Sequence, residues 1–366
     1  MKLTDLVDAM EKIAPTRYAE SWDNVGLLVG DPQQSITRAM LTIDYTPEVA
    51  AEVVEQKCDV VIAYHPPIFE ALKRLVVGST GGSMYEAIRR GIAIYSPHTA
   101  LDVADGGTND LLADVLELRD RVPLKLAQPK VTQCKLVTFV PAERADQVSR
   151  ALFDAGAGRI GQYSSCSFQT RGTGTFFGEE GTNPAVGQTG KLERVEEIRL
   201  ETVVPLTNVE PVIRALRQSH PYEEPAFDLN QLAAPPEAIG LGRVGKLPGD
   251  VTGEMLINRI KRELEIDHVL VAGDASRLVR KAAVCAGACG SLLDDALAQD
   301  VDLYLTGEMR HHDALKAAAR GMTVVCTLHS NSERASLKRL AQRLSDQLKP
   351  MQFLLSRQDR DPFAVM

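Results

Sequence analysis

Three short apolar runs in this chain each end on a histidine: VVIAY before His65, IAIYSP before His98 and TVVCTL before His329. Runs of four to eight apolar residues between helix-length patterns mark strands buried on both faces, as in a parallel sheet with crossover helices. In such sheets ligand-binding and catalytic groups gather at the carboxyl ends of the strands, where loops open into a crevice. The chain is thereby constrained to an α/β fold with imidazoles at strand ends.

The same rhythm occupies both ends of the sequence. Up to about residue 126, MLTIDY, CDVVIAYH and IAIYSPH alternate with the helix-like TPEVAAEVVEQK and SMYEAIRRG. From about residue 237, RKAAVCAG, VDLYLTGE and MTVVCTLH alternate with SLLDDALAQD, HHDALKAAARG and NSERASLKRLAQRLSDQL. Residues 127–236 have a different texture. KLVTFVPAERADQVSRALFDAGA reads as strand then helix, a Gly/Ser/Thr-rich stretch follows, and EIRLETVVP and VEPVIRALRQSH supply another strand and helix. The expected organisation is two α/β halves of one domain, 1–126 and 237–366, interrupted by an α+β insert at 127–236. HPYEEP and AAPPEA mark its exit.

With 366 residues, 44% hydrophobic and 25% charged, the chain is long enough for two or three domains with buried cores. A net charge of -8 argues against nucleic acid as a partner. The opening MKLTDLVDAMEKIAP sets Asp5 and Asp8 within its apolar pattern, which predicts an amphipathic helix rather than a signal peptide. No apolar run approaches the roughly 20 residues that span a bilayer, so a cytoplasmic location and no membrane partner are expected. The six cysteines lack paired knuckles, as in reduced, mostly buried thiols. Cys285 and Cys289 could serve a metal, but a packed strand end with a glycine turn is the better reading.

Two of the strand-end histidines have a carboxylate four residues on, His98 with Asp102 and His329 with Glu333. If helix follows each strand, that spacing sets imidazole and carboxylate side by side, a pincer for a divalent cation. His65 completes the set. Imidazole and carboxylate without thiolate suit Zn, Mn or Fe. A single strand-end histidine is more often a hydrogen-bonded core or rim residue, and an isolated H-x-x-x-D/E arises by chance. Coincidence of location among only seven histidines is what favours a metal site, of open nuclearity. VDLYLTG delivers Glu308 to a comparable strand end, followed by His311 and His312. These are candidates for proton transfer or for orienting ligands, against the alternative of a polar helix start.

The motifs SWDNVGLLVG (21–30), YHPPIF (64–69), HTALDVADGGTND (98–110), GRIGQYSSCSF (158–168), HPYEEPAFDL (220–229), TGEMRHHDAL (306–315) and HSNSER (329–334), in that order, resemble the NIF-three-like family, also called GTP cyclohydrolase type-two homologues. The resemblance runs nearly end to end. It implies two related α/β lobes around a dinuclear metal centre, with an insert similar to ferredoxin-like PII/CutA-type modules. It also implies a homohexamer built as a trimer of dimers. The family's ligands fall on His65, His98, Asp102, His329 and Glu333, and His312 corresponds to a family histidine. Tyr64 stands where many members carry a second adjacent histidine. A neutral phenol is a poor ligand near neutral pH, so two divalent ions are expected with the second weakened, or Tyr64 bonds an anion or water.

Paired metals activate hydroxide and stabilise a developing oxyanion, which predicts a hydrolase acting on a nucleotide or other small phosphate compound, with Glu308 and His312 as catalytic candidates. The alternative is a non-enzymatic metal-binding regulator or scaffold with a PII-like sensing insert. There is no GxxxxGK[ST] phosphate loop. GRIG and GTGTFFG read as β-turns rather than nucleotide loops. His220, Glu223 and Glu224, flanked by Pro221 and Pro225, read as a structural turn before a ligand site, and Trp22, Asp23 and Asn24 as a capped turn before a cavity lining.

Overall fold

The computed structural model describes residues 1–78, 81–127, 132–233 and 239–366. Two compact units are present, Met1–Ala127 with Ala238–Met366, and Gln128–Glu237. The AAPPEA signal lies almost wholly outside the described residues.

The first unit holds two mixed sheets. In one, the parallel strands Ala93–Ser96, Val60–Ala63, Arg38–Thr42 and Gln352–Leu355 lie in that order, and Gly26–Val29 joins the Ala93–Ser96 edge antiparallel. In the other, Thr323–Cys326, Leu303–Glu308 and Leu278–Ala288 run parallel. Leu270–Ala272 flanks one side antiparallel, and Arg243–Thr252 followed by Arg119–Val122 flanks the other. Two strands therefore cross the boundaries that the sequence suggested. Gln352–Leu355 completes the sheet of the N-terminal segment, and Arg119–Val122 completes that of the C-terminal segment. Arg119–Val122 is mostly charged and Gln352–Leu355 only four residues long, which is why the pattern alone passes over them.

Strand alternation builds the layers. Leu41, Ile62 and Tyr95 pack on one face against Leu6 and Met10 of helix Leu3–Ile13 and Leu337, Leu340 and Leu344 of helix Asn331–Gln347. Met40, Val61 and Ile94, one residue out of phase, meet Val49 and Val53 of helix Pro47–Glu55 and Met84 and Ala87 of helix Gly82–Arg89. Each fully buried aliphatic side chain contributes about 1.5–3 kcal/mol, so both faces hold the sheet rigid. Thr46 starts the Pro47–Glu55 helix by accepting the Val49 N–H, with Pro47 in the first turn where its missing N–H costs nothing.

One buried ion pair ties the segments of this unit together. Arg243 donates to both oxygens of Asp110 (2.7 and 3.2 Å) and to the carbonyls of Gly240, Gly242, Val103 and Ala104. Every guanidinium nitrogen is satisfied, which is the condition for burying such a charge.

The second unit is a four-stranded antiparallel sheet, ordered Phe227–Gln231, Gln133–Pro141, Leu192–Pro205, Ser167–Phe177. Helices Ala145–Asp154 and Val209–Ser219 cover it through Val148, Leu152, Val212 and Leu216. The GTGTFF segment, expected as turn, lies inside the strand Ser167–Phe177. GRIG does turn, with Gly158 and Gly161 at positive φ. No helix among the described residues is long and apolar enough to cross a membrane.

Candidate metal centre

Strand ends and helix starts of the first unit carry the site. Val60–Ala63 leads to Tyr64 and His65, Ala93–Ser96 to His98, and Thr323–Cys326 to His329. Helix His98–Val103 bears Asp102, and Glu333 sits in the first turn of Asn331–Gln347. The backbone is forced at two of these joins: His98 has φ 28° and Leu328, just before His329, has φ 72°. Side chains with a Cβ seldom adopt that region, and such strain collects at functional sites.

Ligand atoms of His65, His329 and Glu333 all lie within 4.8 Å of one another, an arrangement that can hold a metal ion. Glu333 is the centre of the group and is only 2% exposed. His65 Nε2 lies 3.3 Å from its Oε2 and His329 Nε2 lies 3.4 Å from its Oε1. Oε2 is buried without a hydrogen-bond partner. A carboxylate oxygen rarely stays buried and unsatisfied, because the loss of water costs about 1–3 kcal/mol or more when charged. A cation between the imidazoles and Glu333 satisfies all three, so these residues fit a divalent metal.

The other two expected ligands stand beside this trio. The His98 ring lies 5.3 Å from the His65 ring, edge-on. Asp102 is reached by the hydroxyl of Tyr64, which also lies 3.0 Å from Thr108 Oγ1. Burial first, then the charges of Asp102 and Glu333, drive the Tyr64 phenol well above its ordinary pKa. Tyr64 is thus a neutral hydrogen-bond donor that steadies Asp102. Burial and the neighbouring Glu333 charge raise the Asp102 carboxyl to about 6, against the opposing help of Tyr64.

Each histidine is oriented by its own carboxylate. Nδ1 of His65 donates to Asp44 Oδ1 (3.0 Å), Nδ1 of His98 to Asp23 Oδ1 (2.8 Å) and Nδ1 of His329 to Glu308 Oε1 (2.7 Å). A proton fixed on Nδ1 leaves Nε2 as the ligating nitrogen and makes it more basic, the usual outer partner of a metal-bound imidazole. Burial disfavours the charged His65 ring, but Asp44 and the close Glu333 outweigh it and raise the metal-free ring to about 10, so a metal at Nε2 would take the place of a proton there. Burial also opposes the charges of Asp23 and Asp44, yet the His98 and Thr99 bonds to one and the His65 bond to the other hold both below the usual carboxylate range.

Glu308 therefore touches the site as an orienting group. For His312 no bond to these groups is seen among the described residues; it is exposed, and its ring packs on His311 at 5.3 Å. Sequence reasoning missed Asp44, whose one available signal is a carboxylate two residues past the strand Arg38–Thr42, and treated Asp23 as a turn residue. Trp22, 59% exposed, sets its ring edge-on to His98 at 6.0 Å. His220 is structural, bonding the Phe139 carbonyl through Nε2 (3.0 Å) and accepting the Tyr222 N–H on Nδ1 (3.1 Å).

The Cys285 thiol is buried and held far above its ordinary pKa, first by its hydrogen bond with Cys289 and then by burial. Cys289 Sγ donates to the Ala286 carbonyl. That arrangement fits a packed strand end.

A family model described as Duf34/NIF3 (NGG1p interacting factor 3) matches residues 1–362. The chain belongs to this family. It is 36% identical over 367 residues to the Bacillus subtilis protein named GTP cyclohydrolase 1 type 2 homolog, covering 99% of this chain and 98% of that one. A Mycobacterium tuberculosis protein of the same name is 37% identical over 317 residues, 86% of this chain and 83% of that one. Among solved structures, a Bacillus cereus protein related to NIF3 superposes with a TM-score of 0.67 at 34% identity, covering 100% and 99% of the two chains. Staphylococcus aureus SA1388 superposes with a TM-score of 0.77 at 27% identity, over 100% and 99%.

Proposed function

We propose that this Duf34/NIF3 member is a divalent-metal-dependent hydrolase acting on a nucleotide or other small phosphate compound. The observation that carries this reading is Glu333: a buried carboxylate with an unsatisfied oxygen, faced by the Nε2 atoms of two histidines. His65, His329 and Glu333 would hold the ion, with His98 and Asp102 at hand for a second. The residue chemistry, imidazole and carboxylate, supports Zn, Mn or Fe. Bound there, divalent metal lowers the pKa of water and draws an anionic oxygen.

The protein's own groups prepare that chemistry. Asp44, Asp23 and Glu308 keep three imidazoles in one tautomer, so no reorganisation is needed when a ligand arrives. Glu333 and Asp102 would neutralise only two of the four charges on a pair of divalent ions, so the ions would still draw a phosphate oxygen. The exposed Trp22 and Glu308 line the approach from solvent. The names of the relatives point toward GTP, which makes guanine nucleotides the first substrates to try. In the second unit, the strand–helix–strand–strand–helix–strand sequence and sheet order support a ferredoxin-like α+β insert.

Metal-reconstituted protein assayed against nucleotides and phosphate esters tests the proposal, with His329→Ala alongside. Turnover that disappears in the variant supports it. A fully metal-loaded protein inert across the panel contradicts hydrolysis and leaves the regulator reading in its place.

A further inference from the structure

A second candidate site lies wholly within the insert. Strands Ser167–Phe177 and Leu192–Pro205, with residues 178–185 and the turn at 222–226, line a half-open cavity of about 600 Å³. Small-molecule pockets are typically about 300–1,000 Å³, mostly apolar with a few placed polar groups. Phe139, Phe176, Phe177 and Tyr222 are among its lining residues, together with Glu197.

Glu197 is only 9% exposed. Its Oε1 accepts the Tyr222 hydroxyl at 2.7 Å, and that is its hydrogen bond within the described residues. Acidic side chains are almost never so buried unless paired. The fold makes room for the second oxygen: a Cβ on Gly174 would come within 2.1 Å of Glu197 Oε2, so the glycine inside this strand opens the space the carboxylate occupies. Tyr222 is in turn held by His220, which is anchored to the Phe139 carbonyl. The proline-flanked turn thereby aims a phenol at a buried carboxylate, and its other oxygen has no protein donor among the described residues.

The charge of the lining selects the ligand. Glu197, Glu223 and Glu224 face the cavity with Arg171 and Arg199, and Arg199 is engaged by Glu201 at 2.7 Å. An anion meets excess acid there, and a neutral ligand leaves Glu197 without a counter-charge. Aromatic faces beside a carboxylate bind organic cations through cation–π attraction and a charge-assisted hydrogen bond. We propose that the insert binds a small organic ammonium compound with an apolar body, its N–H donated to Glu197 Oε2. This site is independent of the metal centre and of its reading as a hydrolase.

Isothermal titration of the full chain with 2-phenylethylammonium, 2-phenylethanol and phenylacetate separates charge from shape. The ammonium probe is expected to bind at least roughly tenfold more tightly than the alcohol, and phenylacetate not at all. Glu197→Gln keeps an acceptor for Tyr222 and is expected to erase the preference for the ammonium with an unchanged unfolding midpoint. Gly174→Val, with folding checked by circular dichroism, should weaken the ammonium probe by displacing Glu197. Equal binding of ammonium and alcohol, an unaltered preference in Glu197→Gln, or no binding by the ammonium probe overturns the proposal.

Discussion

Gly287 stands against Glu333, and a methyl group in place of its hydrogen would come within 2.9 Å of Glu333 Oε1 and 3.4 Å of His329 Nε2. The same residue has φ +68° and donates its N–H to Ser332 Oγ at 2.8 Å, one residue from Glu333. The end of strand Leu278–Ala288 thus forms one wall of the metal centre, and only a residue without a side chain fits there. Gly287→Ala should both intrude on Glu333 and cost about 1–2 kcal/mol for the left-handed backbone. The expected outcome is a lower unfolding midpoint and divalent-metal affinity reduced at least roughly tenfold, read by competition with a chromogenic chelator.

Asp44 acts on the metal only through His65. Asp44→Ala is expected to weaken metal binding by roughly 10–100-fold, the usual effect of removing such an outer carboxylate. The metal-free protein should also lose some stability with the Asp44–His65 bond, so affinity is compared on folded protein. Titration with Zn or Mn in the same chelator assay checks this, and an unchanged affinity would show that His65 is not a ligand.

Asp102 is expected to trade stability against binding. Its carboxylate is half-buried, and its charge is disfavoured by burial and by Glu333, as the rise to about 6 records. Asp102→Asn keeps an acceptor for Tyr64 and removes the charge. Metal-free Asp102→Asn at pH 8 should be more stable than wild type by on the order of 1–3 kcal/mol, because the wild-type carboxylate must ionise against its surroundings. Urea unfolding in chelator measures it; a less stable variant contradicts the assignment.

The C-terminal segment supplies an acid-labile tie. Glu52 accepts from Ser356 Oγ (2.6 Å) and from the N–H groups of Arg357 and Gln358 (3.1 and 3.3 Å). Burial opposes its charge, yet these donors hold its carboxyl below the ordinary 4.5. A carboxyl depressed in the fold contributes stability that is present above the unfolded value and lost as pH falls through the native one. Wild type should therefore lose more stability than Glu52→Gln between about pH 5 and pH 3. Parallel slopes for the two proteins in chemical unfolding would remove Glu52 from the account.

The parts of this molecule that the sequence discloses are those set by local periodicity. Strands Val60–Ala63, Ala93–Ser96, Leu303–Glu308 and Thr323–Cys326 are predominantly apolar, so the polar residues at their ends, His65, His98, Glu308 and His329, were legible as a set. The four-residue spacing of His98 and Asp102 found its helix. What escaped depends on contacts between remote segments. Asp23 reaches His98 across 75 residues, and nothing in SWDN distinguishes that from a turn cap. Gly174 reads as a loop glycine until its partner strand places Glu197 beside it. His311 and His312 follow Glu308 in sequence, and helix His311–Ala319 leaves both exposed.

Metal content decides the central claim. Protein purified without an affinity tag, stripped with chelator, incubated with Zn, Mn or Fe and desalted, is to be analysed by inductively coupled plasma mass spectrometry beside His329→Ala. At least one divalent ion per wild-type chain, with the variant retaining almost none, is the predicted result. A wild-type chain that retains no ion, or a variant that retains as much as wild type, contradicts the assignment of His65, His329 and Glu333 as a metal centre.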